Sequence, residues 1–353
     1  MAVEPDEGAA TVLWEGDAHE VAGEGPVGSA SVEELARISG WHLRAEGLCS
    51  GEVCVPVRGG PIVEPSPGRV DLAAVAARLD RPVVVDEVAR VTAVGAARAD
   101  RRRALVERRA PSFELPGLDG RTHSLDELRG RVTVLVTFSS WCGCRYDLPG
   151  WQALSDELAD DGLAVAAVAF DQQADDVRPF AEGLTIPVLY DPGHVLSELY
   201  AISNVPTVVW IDEDGRIARP NTPAFGTDTF ADFHGVPAGP HLDAIRRWVR
   251  TGDAGVPDDD DAEVPVEDLD EDELAARLWF RIGAHLHRVG RLDQAGERLR
   301  RASELAPLDF TVARAAMPLT GRDPFGEEFL SLYDRWVEAG SPFHGRDPDR
   351  EGD

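Results

Sequence analysis

The sequence predicts an α/β fold for the middle of the chain, with a small α+β domain before it and an α-helical segment after it. Three observations carry that prediction. Residues 131–137 are an apolar, β-branched run that reads as a buried strand, and residues 151–158 behind it carry helical spacing. Residues 163–170 form a second continuous apolar run, the pattern of a central strand covered on both faces. Residues 207–212 and 216–218 flank Asp214-Gly215, a hairpin signal, and a closing helix follows over 241–250. Strand, helix, strand, then an antiparallel hairpin and a helix make one sheet with helices on both faces.

Taken in order, residues 1–30 are rich in Gly, Glu and Ala with little periodicity and read as a flexible tail. Ser31 is placed to cap a short helix over 32–38 that ends near Gly40. Residues 41–57 alternate about Ser50-Gly51, which predicts a hairpin with Cys49 and Cys54 on its flanks. A helix over 71–79 and a strand over 82–86 complete an accessory domain, residues 31–109, whose role the sequence does not assign. In the central domain, residues 110–252, short extended segments flank the turn at Asp119-Gly120. A crossover helix starts at Asp175, residues 187–190 are extended, and a short helix runs over 194–200. An aromatic insertion, residues 223–235, reads as a loop folded over the core or as a substrate-facing lid. Residues 253–273 hold Asp258–Asp261 and a second acidic cluster, so self-repulsion predicts a solvated linker. Residues 274–340 are helical, and 341–353 form a polar tail.

At 353 residues the chain has room for two or three domains. A formal net charge of −29 and a pI near 4.6 argue against nucleic acid or an anionic membrane as partner. All 35 basic residues are Arg, a bias from which no mechanism follows. The N-terminus is acidic where a secretory signal is basic, and no apolar run is long enough to span a bilayer, so the expected location is cytoplasmic. In a reducing compartment cysteines are more often catalytic, redox-sensing or metal-binding than structural.

The chemistry centres on Trp141-Cys142-Gly143-Cys144-Arg145, where the first strand hands over to a helix. Unpaired N–H groups and the helix dipole there favour the thiolate, which is the nucleophile of disulfide exchange. This motif, with Pro149 in the following helix, resembles the Trp-Cys-Gly-Pro-Cys-Arg of thioredoxin-like disulfide reductases of the TlpA/ResA (redoxin) type. The resemblance spans about residues 110–252 and includes Val205-Pro206-Thr207, which matches that family's cis-proline loop. It implies a thioredoxin-like fold and a thiol–disulfide oxidoreductase. Cys142 would then attack, Cys144 would resolve the mixed disulfide, and Trp141, Val205 and Pro206 would bind substrate, with no cofactor and no metal. The partner implied is a protein or small-molecule disulfide or thiol.

Two departures stand out. One residue is missing between the cysteines, and residues two apart on an α-helix point about 200° away from each other. A Cys-x-Cys pair therefore closes only if Gly143 lets Cys142 sit outside the helix. In addition, Val136 stands where thioredoxins carry a buried Asp, which leaves open the group that deprotonates Cys144. Cys49 and Cys54 read as a second redox pair, a structural disulfide or half of a metal site, although their spacing is not that of a zinc knuckle. The scattered His123, His194, His234 and His241 form no ligand pair with them.

Near the C-terminus, Trp279, Ile282, Gly283, Leu286, Gly290, Ala295, Leu299, Ala302 and Pro307 fall on the consensus of a tetratricopeptide repeat, and the segment resembles one such repeat. A further helix over 325–338 could cover its exposed face. A single repeat does not bury its own apolar surface, so the resemblance implies docking on the central domain, a second subunit or a partner protein. Two rival functions remain at this level. One is a peroxiredoxin-like thiol peroxidase, against which Ser139 and Ser140 stand where the Pro and Thr before a peroxidatic Cys are expected. The other is a non-catalytic adaptor acting through the helical hairpin.

Overall fold

The computed structural model describes residues 9–22, 25–57, 68–255 and 268–344. Two compact units divide the chain: residues 1–99 with 270–305, and residues 100–269 with 306–353.

The first unit opens with β1 (Ala10–Trp14) and β2 (Asp17–Val21), an antiparallel pair. After β3 (Ser29–Ser31), α1 (Val32–Ser39) starts on a capping box between Ser31 and Glu34 and stops at Gly40 in the left-handed region. A three-stranded sheet of β4 (His42–Arg44), β5 (Gly47–Ser50) and β6 (Val53–Val55) follows. β7 (Arg69–Asp71) pairs with β3, and Asp71 caps α2 (Leu72–Arg78). β8 (Val83–Asp86) and β9 (Val91–Val94) complete a four-stranded sheet of order β2-β1-β9-β8.

The second unit begins within α3 (Arg98–Leu105) and continues through the hairpin β10 (Glu114–Pro116) and β11 (Thr122–Ser124). Its main sheet comprises β12 (Val132–Phe138), β13 (Leu163–Ala169), β14 (Val188–Tyr190), β15 (Thr207–Ile211) and β16 (Ile217–Thr222) in the order β14-β13-β12-β15-β16. β12 to β14 run parallel, β15 runs antiparallel to β12, and β16 runs antiparallel to β15. The helices are α4 (Leu148–Leu158), α5 (Ala174–Ala181), α6 (Val195–Leu199), α7 (Ala231–His234) and α8 (Ala238–Thr251). Every residue of β12, β13 and β15 is buried, which explains their unbroken apolar runs. This is the thioredoxin-like α/β fold that the sequence predicts. Among the described residues, no helix is long and apolar enough to cross a membrane.

The helical hairpin, α9 (Glu271–Arg288) and α10 (Leu292–Leu305), turns at Gly290 with φ +80°. A Cβ on Gly283 would lie 2.7 Å from Leu299 Cγ, so glycine is what lets the two helices touch. α11 (Ala316–Leu319) and α12 (Glu327–Glu338) follow.

The structure corrects several expected boundaries. The flexible tail over 1–30 contains β1 and β2, whose Val12, Leu13 and Trp14 are buried. The accessory region over 31–109 needs those strands, and its last helix straddles the division between units. The 253–273 linker lies mainly in residues 256–267, outside the described residues. Its end is a helix start, because Asp270 and Glu273 form a capping box on α9. Residues 274–340 do not form one domain. Leu278, Ile282, Leu286 and Ala295 of the hairpin pack on Leu13, Ala89, Val91 and Ala93 of the N-terminal sheet. The segment after α10 instead belongs to the second unit, where Phe310, Met317, Phe329 and Leu332 share a cluster. Of the 341–353 tail, residues 345–353 lie outside the described residues.

Docking of the hairpin includes a buried ion pair in which Arg298 Nε and Nη2 donate to Asp86 at 2.6 and 2.9 Å. Arg298→Leu would leave the buried Asp86 carboxylate with the Ala89 N–H but no cation, a loss of about 3 kcal/mol. Faster hydrogen exchange in β8 and α10 is the expected result, and unchanged exchange would contradict the assignment.

Candidate active site

Cys142 sits at the end of the turn that follows β12, with extended backbone at φ −119° and ψ 145°. Gly143–Asp147 then form a 3₁₀ turn leading into α4. Cys142 is thus outside the helix, the arrangement that the Cys-x-Cys spacing requires. The Cys144 N–H donates to the Cys142 sulfur at 3.3 Å, and the Cys144 thiol favours the Cys142 anion as well. As a thiol, Cys142 can donate to the Val205 carbonyl at 3.5 Å. The Val205–Pro206 bond is cis. Trp141 is held by its indole N–H on the Phe170 carbonyl at 3.0 Å. The structure therefore brings Trp141, Cys142, Cys144, Val205 and Pro206 together.

Burial works against ionisation of both sulfurs, which are only 5 % and 4 % exposed. At Cys142 that effect is outweighed by the Cys144 hydrogen bond, the Arg314 charge and the Cys144 N–H, and the pKa falls to about 7. At Cys144 burial and the neighbouring Cys142 act together, and its pKa rises well above the ordinary thiol value. The two groups are pushed apart, as an attacking and a resolving thiol should be.

Two polar groups that the sequence reading missed complete the site. Asp147, three residues after Cys144, is 2 % exposed. Its Oδ1 accepts from the Thr227 N–H at 2.9 Å and the Thr227 hydroxyl at 2.7 Å, while Oδ2 is buried without a partner. Burial lifts its pKa to about 6 against the Thr227 bonds. The i+3 spacing was visible in the sequence; the partner 80 residues away was not. The second group is Arg314, 6 % exposed, which had no local motif to reveal it.

Thr227 belongs to the aromatic insertion, which packs directly on the active-site turn. A Cβ on Gly143 would meet Phe230 at 3.0 Å, and one on Gly150 would lie 2.0 Å from the Gly226 carbonyl oxygen. On the other side, Asp171 accepts from the Ser140 N–H at 2.9 Å and from the Ser140 hydroxyl. Cys49 and Cys54 face each other across β5 and β6 and are joined in a disulfide within the first unit. Among the described residues, no group of three or more His, Cys, Asp or Glu side chains is arranged to hold a metal ion.

The AhpC/TSA family matches residues 106–219. The thiol-disulfide oxidoreductase ResA of Geobacillus thermodenitrificans is 31 % identical over 140 residues, covering 39 % of this chain and 76 % of that protein. The chain belongs to the ResA-type thiol–disulfide oxidoreductases. The thioredoxin-like protein YneN of Bacillus subtilis is 36 % identical over 114 residues, covering 31 % of this chain and 66 % of YneN. A solved structure described as a putative thiol:disulfide interchange protein DsbE from Chlorobium tepidum shares 31 % identity at a TM-score of 0.29, covering 31 % of this chain and 79 % of that one. In this ResA-type chain the matched region is the central part of the second unit.

Asp147 yields a pH prediction. Its folded-state pKa of about 6 lies above the ordinary 3.8, so the folded protein binds this proton more tightly than the unfolded chain. Stability conferred by the group is present at acid pH, falls between those two values, and stays lost above them. Asp147→Asn, which keeps the Thr227 bonds, should therefore stabilise the protein above about pH 6 and give no gain near pH 4. Denaturant unfolding of both proteins at the two pH values checks this. A gain of equal size at both would contradict it.

Proposed function

We propose that this oxidoreductase works through Cys142 and Cys144, with Asp147 as the proton acceptor for the second thiol. The Cys142 thiolate attacks one sulfur of a substrate disulfide. A Cys142–substrate bond forms, the substrate's S–S bond breaks, and one substrate thiol leaves. Asp147 then takes the Cys144 proton, and the Cys144 thiolate attacks the Cys142 sulfur. The products are a Cys142–Cys144 disulfide and the second substrate thiol, so two electrons pass to the substrate. The same steps reversed oxidise a dithiol.

The observation that carries this reading is the pair itself: an extended Cys142 outside the helix, within hydrogen-bond reach of a Cys144 whose pKa is shifted the opposite way. Val136, on the core strand, offers no carboxylate for the resolving step. Asp147 has one pinned oxygen and one unpartnered oxygen on the same turn as Cys144, and its charge is felt by both thiols. A protein or small-molecule disulfide is the substrate class consistent with this chemistry.

Cys144→Ser should accumulate a mixed disulfide at Cys142, visible by mass, and Cys142→Ser should abolish turnover. Turnover retained by Cys142→Ser would overturn the proposal. Asp147→Asn should slow resolution by about 100-fold, the usual scale of a lost general base, without preventing the first attack. Stabilising the Cys142 thiolate also favours the reduced pair, so titration against glutathione should give a potential above the roughly −270 mV of a Cys-x-x-Cys thioredoxin.

A further inference from the structure

The segment after α10 lies outside the region matched by the AhpC/TSA family, yet it reaches the reacting sulfur. Its first residues are tied to the loop that leads into Val205–Pro206. The Phe310 N–H donates to the Ser203 carbonyl at 2.9 Å, and the Thr311 hydroxyl donates to the Ile202 carbonyl at 3.3 Å. His194 Nδ1 lies 3.0 Å from the Thr311 carbonyl oxygen. Asp309 stiffens the turn by accepting from the Thr311 N–H at 2.8 Å. Three residues on, Arg314 Nε donates to the Pro324 carbonyl at 3.0 Å, and its guanidinium lies over Trp141, the neighbour of Cys142, close enough for its charge to act on that sulfur.

The surroundings of that guanidinium are aromatic. Its carbon lies 3.6 Å from the ring centre of Phe329, 5.3 Å from Phe325 and 5.9 Å from Trp141. Ring faces attract a cation, but they do not replace an anion for one so far from water. Among the described residues, no carboxylate pairs with Arg314. The anion available to it is the Cys142 thiolate.

We propose that Arg314 is a catalytic residue of the exchange, holding the Cys142 sulfur as the attacking thiolate, and that docking of the segment after α10 therefore switches the centre on. This inference rests on the assignment of Cys142 as nucleophile. The charged and titratable groups that face Cys142 are Cys144 and Asp147 from the 3₁₀ turn and Arg314 from the C-terminal segment. Arg145 adds to the positive field at Arg314. Only Arg314 and the Cys144 donors favour the anion, and only Arg314 brings a full charge.

The test is the pH dependence of Cys142 alkylation by a small neutral reagent, with the adduct located by mass. Arg314→Gln should raise the midpoint by about one unit or more, the usual effect of removing an adjacent opposite charge. Below the midpoint the alkylation rate should then fall about tenfold. Arg314→Lys, which keeps the charge, should recover most of that loss. An unchanged profile in a folded Arg314→Gln protein would overturn the proposal.

A second measurement does not depend on that variant folding. If thiolate and guanidinium attract each other, opening of residues 309–317 must become rarer as pH rises through about 7. Hydrogen exchange corrected for its intrinsic pH dependence should show this in the unaltered protein and lose it in Cys142→Ser. Opening that ignores both pH and Cys142 would equally overturn the proposal. Failure here with turnover still dependent on Cys142 would leave the disulfide-exchange mechanism standing. Turnover independent of Cys142 would instead sink that mechanism, whatever the exchange data show.

Discussion

A sulfur anion kept away from water is the constraint on which the rest of the second unit depends. Cys142 is 5 % exposed, and burial alone would keep it a thiol. What reverses that is a set of groups acting on one atom: the Cys144 N–H, which donates to it, the neighbouring Cys144 thiol and the Arg314 charge. Each comes from a different structural decision. The N–H is free because Cys142 precedes the 3₁₀ turn and Cys144 is within its first residues, where amides lack intrahelical partners. The thiol is within reach because Gly143 permits the tight turn. The guanidinium arrives because the chain returns after α10 to lie on the loop ahead of Pro206.

The same turn sets the proton inventory. Asp147 is placed by α4 and held by Thr227, so the aromatic insertion acts on the chemistry through a hydrogen bond. Its close fit explains two glycines: the backbones at Gly150 and Gly226 leave no space for a methyl group between them. Of the two readings of the insertion, the packing supports a loop folded over the core that also holds the Asp147 carboxylate. The rings of Tyr146 and Phe230 meet at 6.2 Å, so this wall of the site is aromatic as well.

Local patterns were legible and long-range ones were not. Cys142, Cys144, Trp141 and Pro206 announce themselves because their chemistry depends on neighbours in sequence: a strand end, a helix start, a turn. The continuous apolar runs of β12 and β13 state their burial directly. Asp147 has the right spacing, but its raised pKa depends on Thr227 and on the loss of water, neither of which a window of sequence contains. Arg314 sits in a stretch that reads as ordinary helical surface, and only the path of the chain after Leu305 brings it to the sulfur. Composition misled in two places. The β-prone run from Ala10 to Trp14 lies between Gly- and Glu-rich stretches, and besides its hairpin partner β2 it pairs with β9, some eighty residues away in sequence. At Asp270, an acidic run that suggests a linker is also what a helix N-terminus prefers. The hairpin's apolar face likewise required a neighbour, but not which one; the buried Asp86–Arg298 pair identifies the N-terminal sheet.

The central claim is that one buried thiol of the pair is an anion near neutrality while its neighbour is not. A pH titration of thiolate ultraviolet absorbance on the reduced Cys142–Cys144 pair, with the Cys49–Cys54 disulfide intact, tests it most directly. The account predicts one step near pH 7 worth a single thiolate, and no second step until far into the alkaline range. Two thiols ionising together near the ordinary value of 9.0 would contradict it.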